Sequence, residues 1–214
     1  MTDFPAAFDA ARAACPLVAI LRGIAPGEID AVAEALIDNG FRLIDVPLNS
    51  HKALRSIERL ARHAGDGICI GAGTVLTRAR VGAVRDAGGG LIVSPDCNPD
   101  VIAATAEAGL VSLPGFQTPT EAFAALRAGA RALKLFPAEA SSPAALRALR
   151  AVLPGGVPVF AVGGIGATDL HEWRAAGADG FGIGGSLYKP GADAAIVAAR
   201  AKMLVDALGG RETP

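Results

Sequence analysis

Eight short apolar segments alternate with helix-patterned segments along the whole chain, and this alternation restricts the fold more than any other feature. The apolar segments are residues 17–21, 43–48, 68–71, 91–94, 111–113, 132–136, 157–162 and 180–183. Each is continuous in its apolarity, which is typical of strands buried on both faces of a parallel sheet. Eight such strands, each followed by a helix, predict an α/β fold, a (β/α)₈ TIM barrel; an open doubly wound sheet is the alternative.

The two ends of the chain lie outside this repeating pattern. Residues 4–15 predict an extra helix before the first strand, which we expect to cover the N-terminal end of the barrel. Residues 209–214 are expected to form a loose tail. Because no linker or low-complexity tract interrupts the pattern, we expect a single barrel domain over residues 1–214.

The composition argues against several classes of function. The 214 residues carry a formal net charge of −1, which disfavours nucleic acid or a membrane surface as a partner. No apolar segment approaches the roughly 18 residues that a membrane span needs. Cys15, Cys69 and Cys97 do not form a disulfide framework, and no His, Cys, Asp or Glu cluster has the spacing of a metal site. With no apparent secretion signal, we expect a cytoplasmic protein without metal or cofactor.

Lys134 is the only lysine inside any of the eight strand segments. Its neighbours Leu133 and Leu135 should face the helices, which turns Lys134 into the barrel because alternate residues of a strand face opposite sides. Burial would lower its pKa from about 10.4 and leave a free amine, the nucleophile that forms a Schiff base with a carbonyl carbon. The alternative is a structural lysine held in an ion pair at the strand end.

Asp45 occupies an inward-facing position of the second strand segment. Ile44 and Val46 take the apolar outward face, so Asp45 should point towards Lys134. A Schiff-base mechanism needs a group that moves protons, and a carboxylate in this place can do so. The alternative is that Asp45 only neutralises Lys134 or Arg22.

Other strand ends carry groups that suit an anionic ligand. Arg22 follows the first strand, where a guanidinium can clamp a carboxylate or a phosphate, and Thr74 follows the third strand with a hydroxyl. Glycine-rich loops follow the seventh and eighth strands, at residues 163–164 and 184–186. TIM barrels commonly bind phosphate through the backbone N–H groups of these two loops, so the residues predict a phosphorylated ligand.

Five segments match the motifs of one enzyme family: residues 71–76, 94–95, 114–115, 133–139 and 163–165. Together they resemble the class I aldolases that cleave 2-keto-3-deoxy-6-phospho sugar acids. The resemblance extends over about residues 14–207. It implies a TIM barrel that releases pyruvate from a phosphorylated 2-keto-3-deoxy sugar acid, needs no cofactor and assembles as a homotrimer.

The resemblance also implies roles for individual residues. It makes Lys134 the Schiff-base lysine, and it places Asp45 where the family has an acid/base glutamate, which is one methylene longer. The implied substrate contacts are Arg22 and Thr74 at the pyruvyl carboxylate, Pro95 and Phe136 around the pyruvyl group, and Gly163, Gly164, Gly184, Gly185 and Ser186 at the distal phosphate.

Within this family, residues 19–24, 46–50 and 160–164 are most similar to the branch that acts on 2-dehydro-3-deoxy-6-phosphogalactonate. The gluconate branch more often has arginine near the position of Asn49, and threonine or proline just before the glycines that follow Val162. Both residues are therefore candidate substrate contacts, and the gluconate substrate is the alternative. Two other functions stay open from the residues alone: a phosphosugar isomerase or synthase in which Lys134 acts only through its charge, and a non-catalytic phosphosugar-binding barrel.

Overall fold

The computed structural model describes residues 2–63, 65 and 67–209. The strands are β1 (Leu17–Ile20), β2 (Leu43–Asp45), β3 (Cys69–Ala72), β4 (Leu91–Val93), β5 (Val111–Leu113), β6 (Gly115–Phe116), β7 (Leu133–Leu135), β8 (Val159–Val162) and β9 (Gly180–Ile183). The helices are α1 (Phe4–Ala14), α2 (Ile29–Asp38), α3 (Ala53–His63), α4 (Arg78–Asp86), α5 (Pro99–Glu107), α6 (Pro119–Arg127), α7 (Pro143–Arg150), α8 (Leu170–Ala175) and α9 (Ala194–Gly209). A 3₁₀ turn covers Ala138–Ala140.

The strands form one parallel sheet in the order β5-β4-β3-β2-β1-β9-β8-β7-β6. Its two outer members, β5 and β6, are consecutive in the chain and are separated only by Pro114, which has no N–H to donate to a ladder. β5 coincides with the fifth predicted strand, and β6 lies beyond its predicted end. β5 pairs with β4, and β6 pairs with β7. The carbonyl of Pro114 accepts a hydrogen bond of 2.9 Å from the N–H of Lys134. The sheet therefore closes on itself, and the predicted TIM barrel is confirmed with its fifth strand in two pieces.

Two hydrophobic clusters separate the inside of the barrel from the outside. Val18 and Leu43 belong to the inner cluster, whereas Leu17, Ala19 and Ile44 belong to the larger cluster between the strands and the helices. This alternation follows from the two-residue period of a strand. It sets which side chains of each strand reach the interior.

The predicted N-terminal helix is confirmed as α1, which contributes to the inner cluster. Phe8 and Ala11 are buried in that cluster, and the ring of Phe8 lies 6.1 Å from the ring of Phe160, centroid to centroid. Asp3 caps the helix by accepting a hydrogen bond of 3.0 Å from the N–H of Ala6. Interior packing of this kind leaves the opposite end of the barrel for a ligand.

Several helices begin at residues that favour a helix start. α5, α6 and α7 each have proline at the first position, after a capping Asn98, Thr118 or Ser142. These caps fix where each strand-end loop finishes. In the described part of the chain, none of the helices is long and apolar enough to cross a membrane. Of the predicted tail, Gly209 ends α9, and residues 210–214 lie outside the described residues.

Candidate active site

A cavity of about 630 Å³ opens at the carboxyl ends of the strands. The residues of its wall that were predicted from the sequence are Arg22, Asp45, Thr74, Lys134, Phe136, Val162, Gly163, Gly164, Gly184, Gly185 and Ser186. Asn49 and Pro95 are the two predicted site residues that do not line it. The fold thus brings eleven of thirteen predicted residues to one cavity. It lies at the end of the barrel where TIM-barrel enzymes hold their substrates.

Lys134 is the central residue of β7 and lies inside the barrel. Its neighbours Leu133 and Leu135 belong to the outer cluster, and its side chain is only 7% exposed. The ammonium nitrogen lies 4.1 Å from the centroid of the Phe136 ring, a cation–π contact that partly compensates for lost hydration. Burial is the largest influence on the pKa of Lys134 and lowers it to about 8, while the carboxylate of Asp45 acts in the opposite direction.

Asp45 is the last residue of β2 and is 2% exposed. Burial raises the pKa of Asp45 to about 7, and the positive charges of Lys134 and Arg22 act in the opposite direction and limit this rise. Its Oδ1 is buried and accepts no hydrogen bond from the described residues. A carboxyl group in this state exchanges a proton near neutral pH, as an acid/base group must.

Arg22 and Asn49 meet above the barrel, in the loops after β1 and β2. The Nη1 of Arg22 donates a hydrogen bond of 2.9 Å to Oδ1 of Asn49. In the same pair of loops, the N–H of Gly23 donates to Oγ of Ser50 at 2.8 Å. Arg22 is one of the residues that line the cavity. Asn49 does not line it but contacts Arg22.

Thr74 follows β3 and has an unusual backbone conformation. Its φ of 57° lies in the left-handed region, which β-branched residues rarely adopt. Such strain persists only where the surrounding structure imposes it, and it is concentrated at functional sites. Here it accompanies a side chain that lines the cavity beside Lys134 and Asp45.

Two glycine loops, after β8 and after β9, form part of the cavity wall. Gly163 and Gly164 have φ values of 107° and 70°, a conformation that favours glycine. The N–H groups of Gly185 and Ser186 donate no hydrogen bond to another described residue. Unused N–H groups at a cavity wall are suited to an anion such as phosphate.

The side chain of Ser186 is engaged with the neighbouring loop. Its hydroxyl donates a hydrogen bond of 2.9 Å to the carbonyl of Ile165. This bond links the loop after β9 to the loop after β8. An anion at Ser186 would therefore meet the backbone N–H and the lone pairs of the hydroxyl rather than a free O–H.

Pro95 packs against the start of β6. It follows β4, and its carbonyl packs so closely against Gly115 that a β-carbon at residue 115 would overlap with it. Glycine at residue 115 thus allows the β4 end to approach β6. Its predicted contact with the pyruvyl group stays a prediction, since Pro95 is not among the residues of the cavity wall.

Eleven further wall residues were not predicted as site residues from the sequence. They are Ile20, Gly23, Pro47, Gly73, Ile165, Gly166, Asp169, Gly182, Tyr188, Lys189 and Pro190. Most are apolar or lack a side chain, so only a three-dimensional structure assigns them to the site. Asp169 and Lys189 are the charged exceptions, and Lys189 follows the last glycine loop closely.

Taken together, the cavity holds an amine and a carboxyl group whose pKa values are close to neutral, beside an arginine and two glycine loops. Comparisons with known proteins agree with this chemistry. The family model of KDPG and KHG aldolase matches residues 9–198. The chain belongs to this aldolase family.

Individual members of the KDPG and KHG aldolase family are similar to most of the chain. A probable 2-dehydro-3-deoxy-6-phosphogalactonate aldolase of Rhizobium meliloti (strain 1021) is 50% identical over 186 residues, which cover 87% of this chain and 88% of the relative. The 2-dehydro-3-deoxy-6-phosphogalactonate aldolase of Escherichia coli (strain K12) is 45% identical over 192 residues, covering 90% and 94%.

A solved structure also resembles the described fold. A native KDPGal structure superimposes with a TM-score of 0.89 at 44% sequence identity, and the match covers 91% of this chain and 94% of that one. The fold thus agrees with the sequence relationship.

Proposed function

We propose that this aldolase cleaves 2-dehydro-3-deoxy-6-phosphogalactonate to pyruvate and glyceraldehyde 3-phosphate through a Schiff base on Lys134. The observation that carries the proposal is the buried amine of Lys134, whose pKa is lowered to about 8, in one cavity with Asp45. An amine that loses its proton near neutral pH is the nucleophile this reaction needs.

The first half of the reaction joins the substrate to the enzyme. The free amine of Lys134 attacks the C2 ketone and forms a carbinolamine. A proton from Asp45 converts the departing hydroxyl to water, which leaves a protonated iminium on C2. Because the pKa of Asp45 is raised to about 7, part of the enzyme holds this proton at neutral pH.

The second half breaks the carbon–carbon bond. The Asp45 carboxylate, now the base, takes the proton of the C4 hydroxyl, directly or through a water molecule. The C3–C4 electron pair moves towards the iminium and gives an enamine, and C4 leaves as the aldehyde. Protonation of C3 and hydrolysis of the iminium then release pyruvate and restore Lys134.

The two ends of the substrate are negatively charged, and the cavity offers a partner for each. Arg22 and Thr74 are suited to the carboxylate on C1, with Phe136 against the pyruvyl carbons. At the other end, the unused N–H groups of Gly185 and Ser186 are suited to the phosphate.

The galactonate substrate is supported by the names of the two relatives at 50% and 45% identity. The gluconate epimer has the same functional groups and satisfies the same catalytic steps. Rates on the two epimers at equal enzyme concentration therefore decide the preference. A higher kcat/KM on the gluconate substrate would contradict the galactonate proposal but leave the mechanism intact.

The mechanism is tested by reductive trapping. Pyruvate plus borohydride should add a mass to the peptide that contains Lys134 and to no peptide carrying Lys52, Lys189 or Lys202. Lys134→Arg keeps the charge but not the nucleophile, and should lower kcat at least about a thousandfold in a coupled lactate dehydrogenase assay. Unmodified Lys134, or substantial pyruvate release by Lys134→Arg, would rule out the Schiff base. Turnover of a phosphosugar without pyruvate release would favour an isomerase or synthase, and ligand binding without pyruvate release would favour a binding protein.

We further propose that the chain acts as a single-domain enzyme in the cytoplasm and assembles as a homotrimer. The family resemblance supports the trimer, and the free state of Cys15, Cys69 and Cys97 is consistent with a reducing compartment. Native mass spectrometry should give three times the 21.5 kDa of one chain. A monomer at micromolar concentration would contradict the assembly.

A further inference from the structure

The loop that carries Arg22 is held on two sides. On one side, Arg22 and Gly23 donate hydrogen bonds of 2.9 and 2.8 Å to the consecutive residues Asn49 and Ser50. On the other side, Pro190 packs against Gly23, where a β-carbon would lie 2.7 Å from the Pro190 Cγ. The φ of Gly23 is 82°, so glycine is favoured at this turn. The backbone of the loop is thereby fixed from both directions.

The guanidinium of Arg22 is less constrained than this backbone. The residue is exposed, and among the described residues its side chain makes no ion pair. The bond to Oδ1 of Asn49 is the one side-chain hydrogen bond that it makes to a described residue. A long side chain loses rotamer entropy when it binds a ligand, and an existing hydrogen bond reduces that loss.

The hydrogen bond to Arg22 connects Asn49 to the cavity. Arg22 lines the cavity, whereas Asn49 does not. The bond uses one of the five donors of the guanidinium and leaves the others free for a carboxylate. We propose that Asn49 is a positioning residue, which orients the Arg22 guanidinium towards the keto-acid carboxylate without touching the substrate. This inference rests on the proposed function, because it concerns the carboxylate end of the same site.

The proposal predicts an effect on binding rather than on the chemical step. Loss of one hydrogen bond to a charged group should weaken keto-acid binding about tenfold. Asn49→Ala should therefore raise the KM for the phosphorylated substrate, and the pyruvate concentration that half-saturates reductive trapping, about tenfold each. The kcat should stay within about twofold, and the pH profile should not move, because Lys134 and Asp45 are untouched.

A double-mutant cycle with Arg22→Ala separates positioning from direct contact. If Asn49 acts through Arg22, Asn49→Ala should have no further effect on half-saturation by pyruvate in the Arg22→Ala background. Asn39→Ala is the matched control, since Asn39 caps α2 and lies outside the cavity wall. Circular dichroism of each variant verifies that the fold is retained.

Each outcome has a distinct meaning. An equal effect of Asn49→Ala in both backgrounds would show direct contact with the substrate and overturn the inference. No effect in the wild-type background would overturn it as well, as would a change in kcat without a change in KM. Failure of the proposed function looks different, because the wild-type protein would then neither release pyruvate nor be trapped.

Discussion

The carboxylate of Asp45 lies against the backbone of Gly73, with no room for a β-carbon between them. A β-carbon at residue 73 would lie 2.6 and 2.7 Å from the two carboxylate oxygens and 3.0 Å from the carboxyl carbon. Asp45 ends β2 and Gly73 directly follows β3, and the two strands pair with Asp45 level with Gly71. Gly73 thus leaves the space that the Asp45 carboxylate occupies in the cavity wall.

Gly73→Ala should displace the Asp45 carboxylate and lower kcat. The φ of Gly73 is outside the left-handed region, so alanine fits the backbone and the strain falls on the carboxylate. Misplacement of an acid/base group by about 1 Å can cost about a hundredfold in rate. We expect kcat for cleavage to fall ten- to a hundredfold, measured by coupled release of pyruvate.

Gly82→Ala is the control for this substitution. Gly82 lies in α4, and a β-carbon there would meet nothing within 4 Å. Alanine should stabilise the helix by about 0.5–1 kcal/mol and leave kcat unchanged. An unchanged kcat in Gly73→Ala as well would mean that the carboxylate only neutralises charge.

The sequence was sufficient to predict which strand side chains enter the barrel. Alternation along a strand is strict, so Lys134 and Asp45 had only one possible face once their apolar neighbours were assigned outward. The same regularity predicted eight strands, and the split at Pro114 is a local effect of its missing N–H. These features depend on local geometry, which the spacing of apolar and polar residues along the chain predicts.

Loop residues were less predictable because their contacts are made across the fold. The hydrogen bond between Asn49 and Arg22, 27 residues away along the chain, was not predicted from the sequence. The left-handed backbone of Thr74 and the fit of Asp45 against Gly73 likewise depend on neighbouring strands. The spacing of residues along the sequence does not predict such contacts.

The pH dependence of trapping should depend on Asp45. Trapping by pyruvate and borohydride requires free amine, so its rate should rise with pH through the Lys134 pKa of about 8. The Asp45 carboxylate raises that pKa, because a nearby negative charge favours the ammonium. Asp45→Asn should therefore move the inflection to lower pH, even though it slows the reaction.

Asp169→Asn is the matched control for the pH profile. Asp169 lines the same cavity, but its carboxylate accepts a hydrogen bond of 2.7 Å from the N–H of Gly166 and is not among the groups that shift the pKa of Lys134. The inflection should stay in place in this variant. A shift to higher pH in Asp45→Asn would contradict the assigned electrostatics.

We expect the strained backbone of Thr74 to lower the free energy of unfolding, while its hydroxyl contributes to substrate binding. A non-glycine residue held at a φ of 57° costs about 1–3 kcal/mol, part of which glycine recovers. Thr74→Gly should raise the free energy of unfolding by about 1 kcal/mol and also raise KM through loss of the hydroxyl. Thr74→Ser keeps the hydroxyl without the branched β-carbon, and should retain a KM within about threefold of wild type. Urea denaturation and steady-state kinetics on the three proteins measure both effects.

Lys189 should contribute to phosphate binding at the cavity rim. Arg22, Lys134 and Lys189 are the three basic residues of the wall, and Lys189 follows the loop whose Gly185 N–H is unused. An exposed charge near a phosphate contributes roughly 1 kcal/mol, or about fivefold. Lys189→Ala should therefore raise KM about fivefold for the phosphorylated substrate, and less at high salt.

The unphosphorylated sugar acid provides the internal comparison for Lys189. Its KM should be the same in wild type and Lys189→Ala, because the group that Lys189 attracts is missing. Lys202→Ala is the protein control, since Lys202 bonds to Asp206 in α9 at 2.7 Å. Equal losses on both substrates would assign Lys189 a structural role instead.

Val162 should influence the choice between the two epimers, which differ at C4. Its side chain is 5% exposed, lines the cavity, and packs where Gly182 leaves space, since a β-carbon at residue 182 would lie 2.7 Å from its Cγ2. Valine cannot hydrogen-bond to a hydroxyl, whereas threonine of nearly the same shape can. Val162→Thr should therefore raise the ratio of gluconate to galactonate kcat/KM by about tenfold, the value of one hydrogen bond.

Val162→Ala separates shape from polarity: a similar change of the ratio in this variant would show that space, rather than the added hydroxyl, selects the epimer.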